Sequence, residues 1–235
     1  MVQKIDASFL IPCARQWEGY GSRTLNSLLD LDTTRAYEIL VCSPYQLHDI
    51  VEPKKNIRLF QDDPGFSGAV RPINKMVKHA VGEYCILLND EFLAHSNILD
   101  VLEIFEGSEG LEVIALSPDH FIDGAYDVPA NYYPYMGDCP LLPFPVISRE
   151  LIKSELDGVL FNESFTHYGS DSWISYYLIR KLNKHIHVAS NIKTIFTDDK
   201  ETPSIASNND NGDAIFHRLT RLLEDNPKIS YNTLI

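Results

Sequence analysis

The stretch Tyr84-Cys85-Ile86-Leu87-Leu88 is a continuous apolar run that opens after Gly82-Glu83 and ends directly in Asn89-Asp90-Glu91. A short, uninterrupted apolar run between Gly and polar residues is the pattern of a strand buried on both faces. Such a strand needs helices above and below it, so the chain has to fold as an α/β layer structure. In open α/β sheets, ligands sit at the carboxyl ends of the strands, which is where Asp90 and Glu91 fall. Hard cations such as Mg²⁺ or Mn²⁺ take carboxylate oxygens and commonly share them with substrate phosphates. An Asn-Asp-Glu turn serves equally as a solvated cap on the strand, so the rest of the chain must decide between the two.

The flanking segments supply the layers. Ala7–Pro12 reads as a first strand stopped by its proline, and a polar loop, Cys13–Ser22, follows it. Leu25, Leu28 and Leu29 place a helix over Arg23–Leu31. Tyr37–Cys42 and Asn56–Phe60 read as the second and third strands, and Asp62-Asp63-Pro64-Gly65 is a turn. Ile73, Met76, Val77 and Ala80 form one stripe of a helix over Val70–Val81, closed by Gly82. Ser96 is the expected N-cap of a helix burying Ile98, Val101, Leu102 and Phe105. Leu111–Leu116 is a further strand. The order β-α-β-β-α-β-α-β calls for a mixed, mainly parallel sheet with helices on both faces.

Past Ser117 the texture changes. Residues 117–145 carry six prolines and the tyrosines Tyr126, Tyr132, Tyr133 and Tyr135. Tyrosines stack on sugar rings and donate hydrogen bonds, so this loop is read either as a binding loop or as an aromatic minicore beneath one. Val146–Ser148 is a short strand and Arg149–Leu156 a short helix. Ser170 or Asp171 opens a helix with Trp173, Ile174, Tyr177, Leu178 and Leu182 on its apolar stripe; Asp171 at this position reads as an N-cap. His185–Val188 begins a last strand, Thr197–Asp213 reads as a mobile polar loop, and Ile215–Leu223 as a closing helix. The expectation is a single domain over 1–235, with functional halves at 1–116 and 117–190 and a loop and helix at 191–235.

Charge narrows the partners. The net charge of −13 over 235 residues argues against nucleic acid and anionic membranes as partners, since both require basic patches. An anionic ligand has to be met locally, by a metal or a few placed Arg and Lys residues. Cys13, Cys42, Cys85 and Cys139 show no CxxC spacing and read as buried thiols. Met1–Asp6 has no basic leader pattern, and no apolar run approaches the ~20 residues of a membrane span. A soluble cytoplasmic protein is expected.

Taken together, Ser8-Phe9-Leu10-Ile11-Pro12-Cys13, Leu25–Leu29, Tyr37–Val41, Gly68…Arg71…Asn74…Ala80-Val81-Gly82-Glu83-Tyr84, Leu87-Leu88-Asn89-Asp90-Glu91 and Tyr168-Gly169-Ser170-Asp171 resemble the GT-A fold glycosyltransferases, in particular the inverting, nucleotide-sugar-dependent family 2. The likeness spans roughly residues 7 to 190 and rests on the order and spacing of short motifs. It implies a sugar transferred from a nucleotide donor to a glycan or lipid-linked saccharide. By that resemblance Asp90, with Asn89 and Glu91 beside it, holds a divalent metal (Mn²⁺ or Mg²⁺) on the donor diphosphate. Pro12, Cys13 and Arg15 border the nucleotide, Arg71 lies near the phosphates, Asn74 takes a position usually held by Asn, for structure as much as for donor binding, and Asp171 is the general base. Trp173, Tyr132 and Tyr133 are the acceptor-binding candidates, with core packing the competing role for Trp173.

The chain departs from the family at three places, one of them the metal motif itself, Asn89-Asp90-Glu91 where many relatives have two aspartates. Cys42-Ser43-Pro44 stands where an acid-rich turn binds the nucleotide base, which leaves Asp62 or Asp63 to contribute. A late metal-binding histidine has no counterpart; His187 lies inside a strand, and Thr197–Asp199 offers only acids. The missing acid and the absent histidine favour a second reading, a catalytically inactive GT-A-like protein that binds a nucleotide sugar or glycan; the retained Asp90 and Asp171 oppose it. A nucleotidyltransferase is disfavoured, because Cys13-Ala14-Arg15-Gln16-Trp17 is not a Gly-rich basic phosphate loop. The acceptor site is expected from residues 117–165, the C-terminal segment, or a second copy of the chain in a homo-oligomer.

Overall fold

The computed structural model describes residues 4–13, 17–49, 51–52, 54–63, 68–90, 92–118, 142, 144–167, 169–196 and 211–235. Arg15, Glu91, Tyr132, Tyr133, Cys139 and the loop 197–210 lie outside these residues.

Among the described residues eight strands form one sheet, in the order β3-β2-β1-β4-β7-β6-β8-β5. They are β1 Ala7–Pro12, β2 Tyr37–Ser43, β3 Ile57–Gln61, β4 Tyr84–Leu87, β5 Phe92–Ala94, β6 Val113–Pro118, β7 Pro145–Ser148 and β8 Ile186–Phe196. β3, β2, β1 and β4 run parallel, with Phe9 facing Ile39 on one side and Ile86 on the other. β7 enters antiparallel between β4 and β6, and β5 pairs antiparallel with the end of β8. The helices are α1 Gly21–Leu29, α2 Val70–His79, α3 Val101–Gly107, α4 Arg149–Glu155, α5 Ser170–Tyr176 and α6 Gly212–Asp225.

Strand residues alternate between two cores, as the period of a β-strand requires. Phe9, Ile11, Ile39, Val41, Ile86 and Leu88 pack with Leu25 and Leu28 of α1 and Leu102 and Phe105 of α3. Leu10, Leu40, Cys85, Leu87 and Ile147 pack with α2, α4, α5 and α6 on the other face. Each central strand is thus covered twice, which is why it reads as an unbroken apolar run. Cys13, Cys42 and Cys85 are buried, and none of the three is in a disulfide. Among the described residues no helix is long and apolar enough to cross a membrane.

Three local expectations change. The helix placed after Ser96 opens as a 3₁₀ turn, Ile98–Asp100, behind Asn97 and without a side-chain cap. β5, three residues long, follows the acidic turn, where no alternation could announce it. β8 continues to Phe196, well past the His185–Val188 stretch in which the sequence began it.

At the amino ends of the strands, Ser8 Oγ donates to Glu38 Oε1 at 2.7 Å and accepts from the Gly82 amide at 2.9 Å. The Val81 amide also donates to Glu38 Oε1, at 2.7 Å. Gly82 lies against β1 so closely that a Cβ there would stand 2.5 Å from the Ala7 carbonyl carbon and 2.5 Å from the Ser8 nitrogen. Backbone cannot yield as a side chain can. Gly82→Ala is expected to cost ~2–3 kcal/mol by overpacking, a fall in Tm of roughly 4–12 °C for a chain of this size. An unchanged melting temperature would contradict this packing.

Candidate functional site

Because β1 to β4 are parallel, their carboxyl ends share one edge of the sheet. Cys13, Ser43, Asp62 and Asp90 follow or close β1, β2, β3 and β4 at that edge, the position where α/β sheets bind ligands. Pro12 is buried as the last residue of β1, in register with Cys42.

Asp90 is 7% exposed, and helix α1 holds the turn that carries it. Thr24 Oγ1 donates to the Asp90 carbonyl at 3.1 Å, and one turn later Ser27 Oγ accepts from the Ala94 amide at 2.9 Å. The Cys13 thiol hydrogen-bonds the Asp90 carboxylate, and burial together with that charge pushes the thiol well above its ordinary range. The sulfur in turn packs at Gly21, where a Cβ would meet Cys13 Sγ at 2.6 Å and the Trp17 ring at 2.5 Å. Thr24 and Ser27 went unread in the sequence, because the leucine stripe of α1 gives no reason to single out two hydroxyls beside it. Asn89 is half-buried.

Asp62 separates from Asp63 here. It is 7% exposed, and its Oδ1 has no hydrogen-bond partner among the described residues. Arg71 Nε lies 3.8 Å from that oxygen, while Arg71 Nη1 lies 3.8 Å from Asp63 Oδ2 on the exposed side. A buried acceptor without a donor carries a desolvation cost that a ligand N–H or O–H relieves.

The segment before α5 folds onto the start of α2. The Thr166 carbonyl accepts the Val70 amide at 3.2 Å. Gly68 has φ 134°, and a Cβ on it would come within 2.3 Å of that same carbonyl oxygen, so only glycine fits. Gly169, at φ 83°, then turns the chain into α5. Asp171 lies in the first turn, and its Oδ1 accepts the amide of Ser172 at 2.9 Å. The carboxyl sits deep in the body of the protein while keeping part of its surface open, and burial raises its pKa against that hydrogen bond and nearby His167. Arg71 and Asp171 therefore belong to segments joined by a direct backbone hydrogen bond.

Two of the candidate site residues turn inward, to the structural side of the roles the sequence left open for them. Asn74 is buried and its amide is used internally: Nδ2 donates to the Phe161 carbonyl at 2.7 Å, and Oδ1 accepts from the Leu160 and Phe161 amides at 3.0 Å each. It cross-links α2 to the loop 157–166. Trp173 is 0% exposed, and its Nε1 donates to the Tyr231 carbonyl at 3.3 Å. With its ring stacked on Tyr176 and Tyr231, no face is left for a sugar.

Among the described residues no group of three His, Cys, Asp or Glu side chains converges as a metal cage. Asp90 remains suited to a cation held by one or two carboxylates and completed by substrate phosphates, the mode Mg²⁺ and Mn²⁺ favour.

No protein-family profile and no curated protein matches the chain. Solved structures do. TarS of S. aureus, residues 1–349 in complex with UDP-GlcNAc, superposes with a TM-score of 0.68 at 18% identity, covering 97% of this chain and 68% of that one. The UDP complex of the same protein gives 0.68 at 19%, with the same coverage. The mannosyltransferase PcManGT of Pyrobaculum calidifontis, in complex with GDP-Man and Mn²⁺, gives 0.61 at 13%, covering 85% of this chain and 59% of that one. At these identities the likeness concerns the fold, which is a GT-A-like glycosyltransferase fold.

Proposed function

We propose that this chain is an inverting glycosyltransferase that moves a sugar from a nucleotide-sugar donor to a glycan or lipid-linked saccharide. The observation that carries the reading is the gathering of Cys13, Asp62 and Asp90 at one sheet edge, with the Thr166–Asp171 segment bonded onto the helix that bears Arg71. Neighbours of the same fold were solved with UDP-GlcNAc, UDP, or GDP-Man and Mn²⁺, ligands of the class such an edge can take.

Transfer needs the diphosphate leaving group neutralised, the acceptor hydroxyl deprotonated and the partners held in line. Asp90 would hold a divalent cation, flanked by Asn89 and Glu91; bound there, it would draw charge off the departing diphosphate. Arg71 adds positive charge on the same side, and Pro12, Cys13 and Arg15 border the nucleotide. The buried oxygen of Asp62 is the acceptor for an N–H of the base, replacing the acid-rich turn absent after β2. Asp171, its pKa raised toward working pH, takes the acceptor's proton, and attack opposite the leaving group inverts the anomeric centre. Tyr132 and Tyr133 are the acceptor-side candidates.

A thermal-shift series with UDP-, GDP-, dTDP- and CMP-sugars, each with and without Mn²⁺, tests the reading, since a ligand of the native state raises its stability. One nucleotide class is expected to stabilise the protein, more strongly with Mn²⁺. Asp90→Asn is expected to lose the Mn²⁺-dependent part while melting normally alone. Stabilisation by no donor would leave the chain a glycan-binding relative of the fold.

A further inference from the structure

The last residues of the chain are tied down by an unusual density of directed hydrogen bonds. Asn162 is 0% exposed. Its Nδ2 donates to the Tyr231 carbonyl at 2.6 Å and to the Thr233 carbonyl at 3.2 Å, while its Oδ1 accepts the Ser164 amide at 2.8 Å. Tyr231, also 0% exposed, donates its hydroxyl to the Leu160 carbonyl at 2.7 Å. Asp157, held at φ 55°, accepts the Asn232 amide at 2.7 Å and the Ser230 hydroxyl. A non-glycine residue at positive φ carries a conformational cost that its bonds to 230–232 must offset.

These contacts continue in both directions. Leu160 and Phe161 are the residues that Asn74 of α2 holds through its side-chain amide. On the other side, the Tyr231 carbonyl accepts the Trp173 indole at 3.3 Å, and the two rings stack at 6.4 Å and 13°. An unbroken chain of buried contacts therefore runs from α2, through the loop 157–166 and the tail, to α5. Arg71 stands at one end and Asp171 at the other. Apolar filling alone would have needed no such set of directional bonds, all but the Ser230–Asp157 pair aimed at backbone.

We infer that residues 230–235 form a clasp that registers Asp171 against the donor helix α2, and that Asn162 and Tyr231 are positioning residues for the transfer. The inference rests on the reading of Asp171 as the base. Its physical ground is the sensitivity of in-line attack to placement: a displacement of about 1 Å costs on the order of 10²-fold in rate.

The test uses the full chain, with Asn162→Ala and Tyr231→Phe compared to wild type on the donor found by the thermal-shift series. Asn162→Ala is expected to keep the nucleotide-induced shift and a donor KM within about twofold of wild type, while kcat falls roughly 10- to 100-fold. Tyr231→Phe, which deletes one hydroxyl, should show the same split more mildly, and it carries the test if Asn162→Ala does not fold. A lower melting temperature with unchanged kcat would overturn the inference and leave the clasp a structural tie. Loss of donor binding would overturn it too, by placing the effect on the nucleotide side. If wild type turns over no donor, the reading of the site fails, and hydrogen exchange then judges the clasp. Asn162→Ala must speed exchange at the Ser172 and Trp173 amides and leave that of Met76 in α2 unchanged; equal rates at all three would refute it.

Discussion

Asp171→Asn is expected to leave donor binding intact and to lower turnover by about 10²–10⁴-fold, the usual share of a general base. The asparagine Oδ1 can keep the 2.9 Å bond from the Ser172 amide, so the variant tests proton acceptance without disturbing the helix start. Burial holds the Asp171 pKa above its ordinary 3.8. The acid limb of the wild-type kcat profile should therefore lie higher than an ordinary aspartate would put it, because the base works only when ionised. The same shift has a consequence for stability. A carboxyl whose folded pKa is raised favours the folded state below its unfolded pKa, and that contribution is lost as pH rises through the folded value. Asp171→Asn has no such loss, so at neutral pH it should melt no lower than wild type. Full activity in the variant would remove Asp171 from the chemistry.

Trp173→Ala should be the most damaging single truncation to stability. Its ring is fully buried and stacked on both Tyr176 and Tyr231, and a large aromatic removed from such a site costs about 3–5 kcal/mol. In a chain of this length that lowers Tm by roughly 6–20 °C. Trp173→Phe should recover most of it, losing the indole bond to the Tyr231 carbonyl. An alanine variant that melts like wild type yet binds acceptor weakly would restore the stacking role that the sequence suggested.

The parallel strands and their acids were legible because burial on both faces leaves an unmistakable trace, an apolar run with no alternation. Asp90 could be singled out by its place at the end of such a run. What sequence could not separate were residues whose meaning depends on distant partners. Asp62 and Asp63 are adjacent and chemically identical, and only the fold buries one and exposes the other. Asn74 sits on the same helix as Arg71, and nothing local says that its amide faces Leu160 and Phe161, more than eighty residues on. The tail after α6 is short and mixes Ile229, Tyr231, Leu234 and Ile235 with polar residues, too brief a pattern to place Tyr231 in the core.

The place of β7 has a consequence for folding. It enters the sheet between β4 and β6, pairing Cys85 with Ile147 on one side and Ile114 with Val146 on the other. The first 116 residues therefore lack the strand that joins β6 to the rest, and the later residues have no sheet of their own to enter. Neither portion can close its hydrogen-bond ladder alone. Unfolding should then proceed as one cooperative transition, and the long loop closure needed to seat β7 makes it a slow step in refolding.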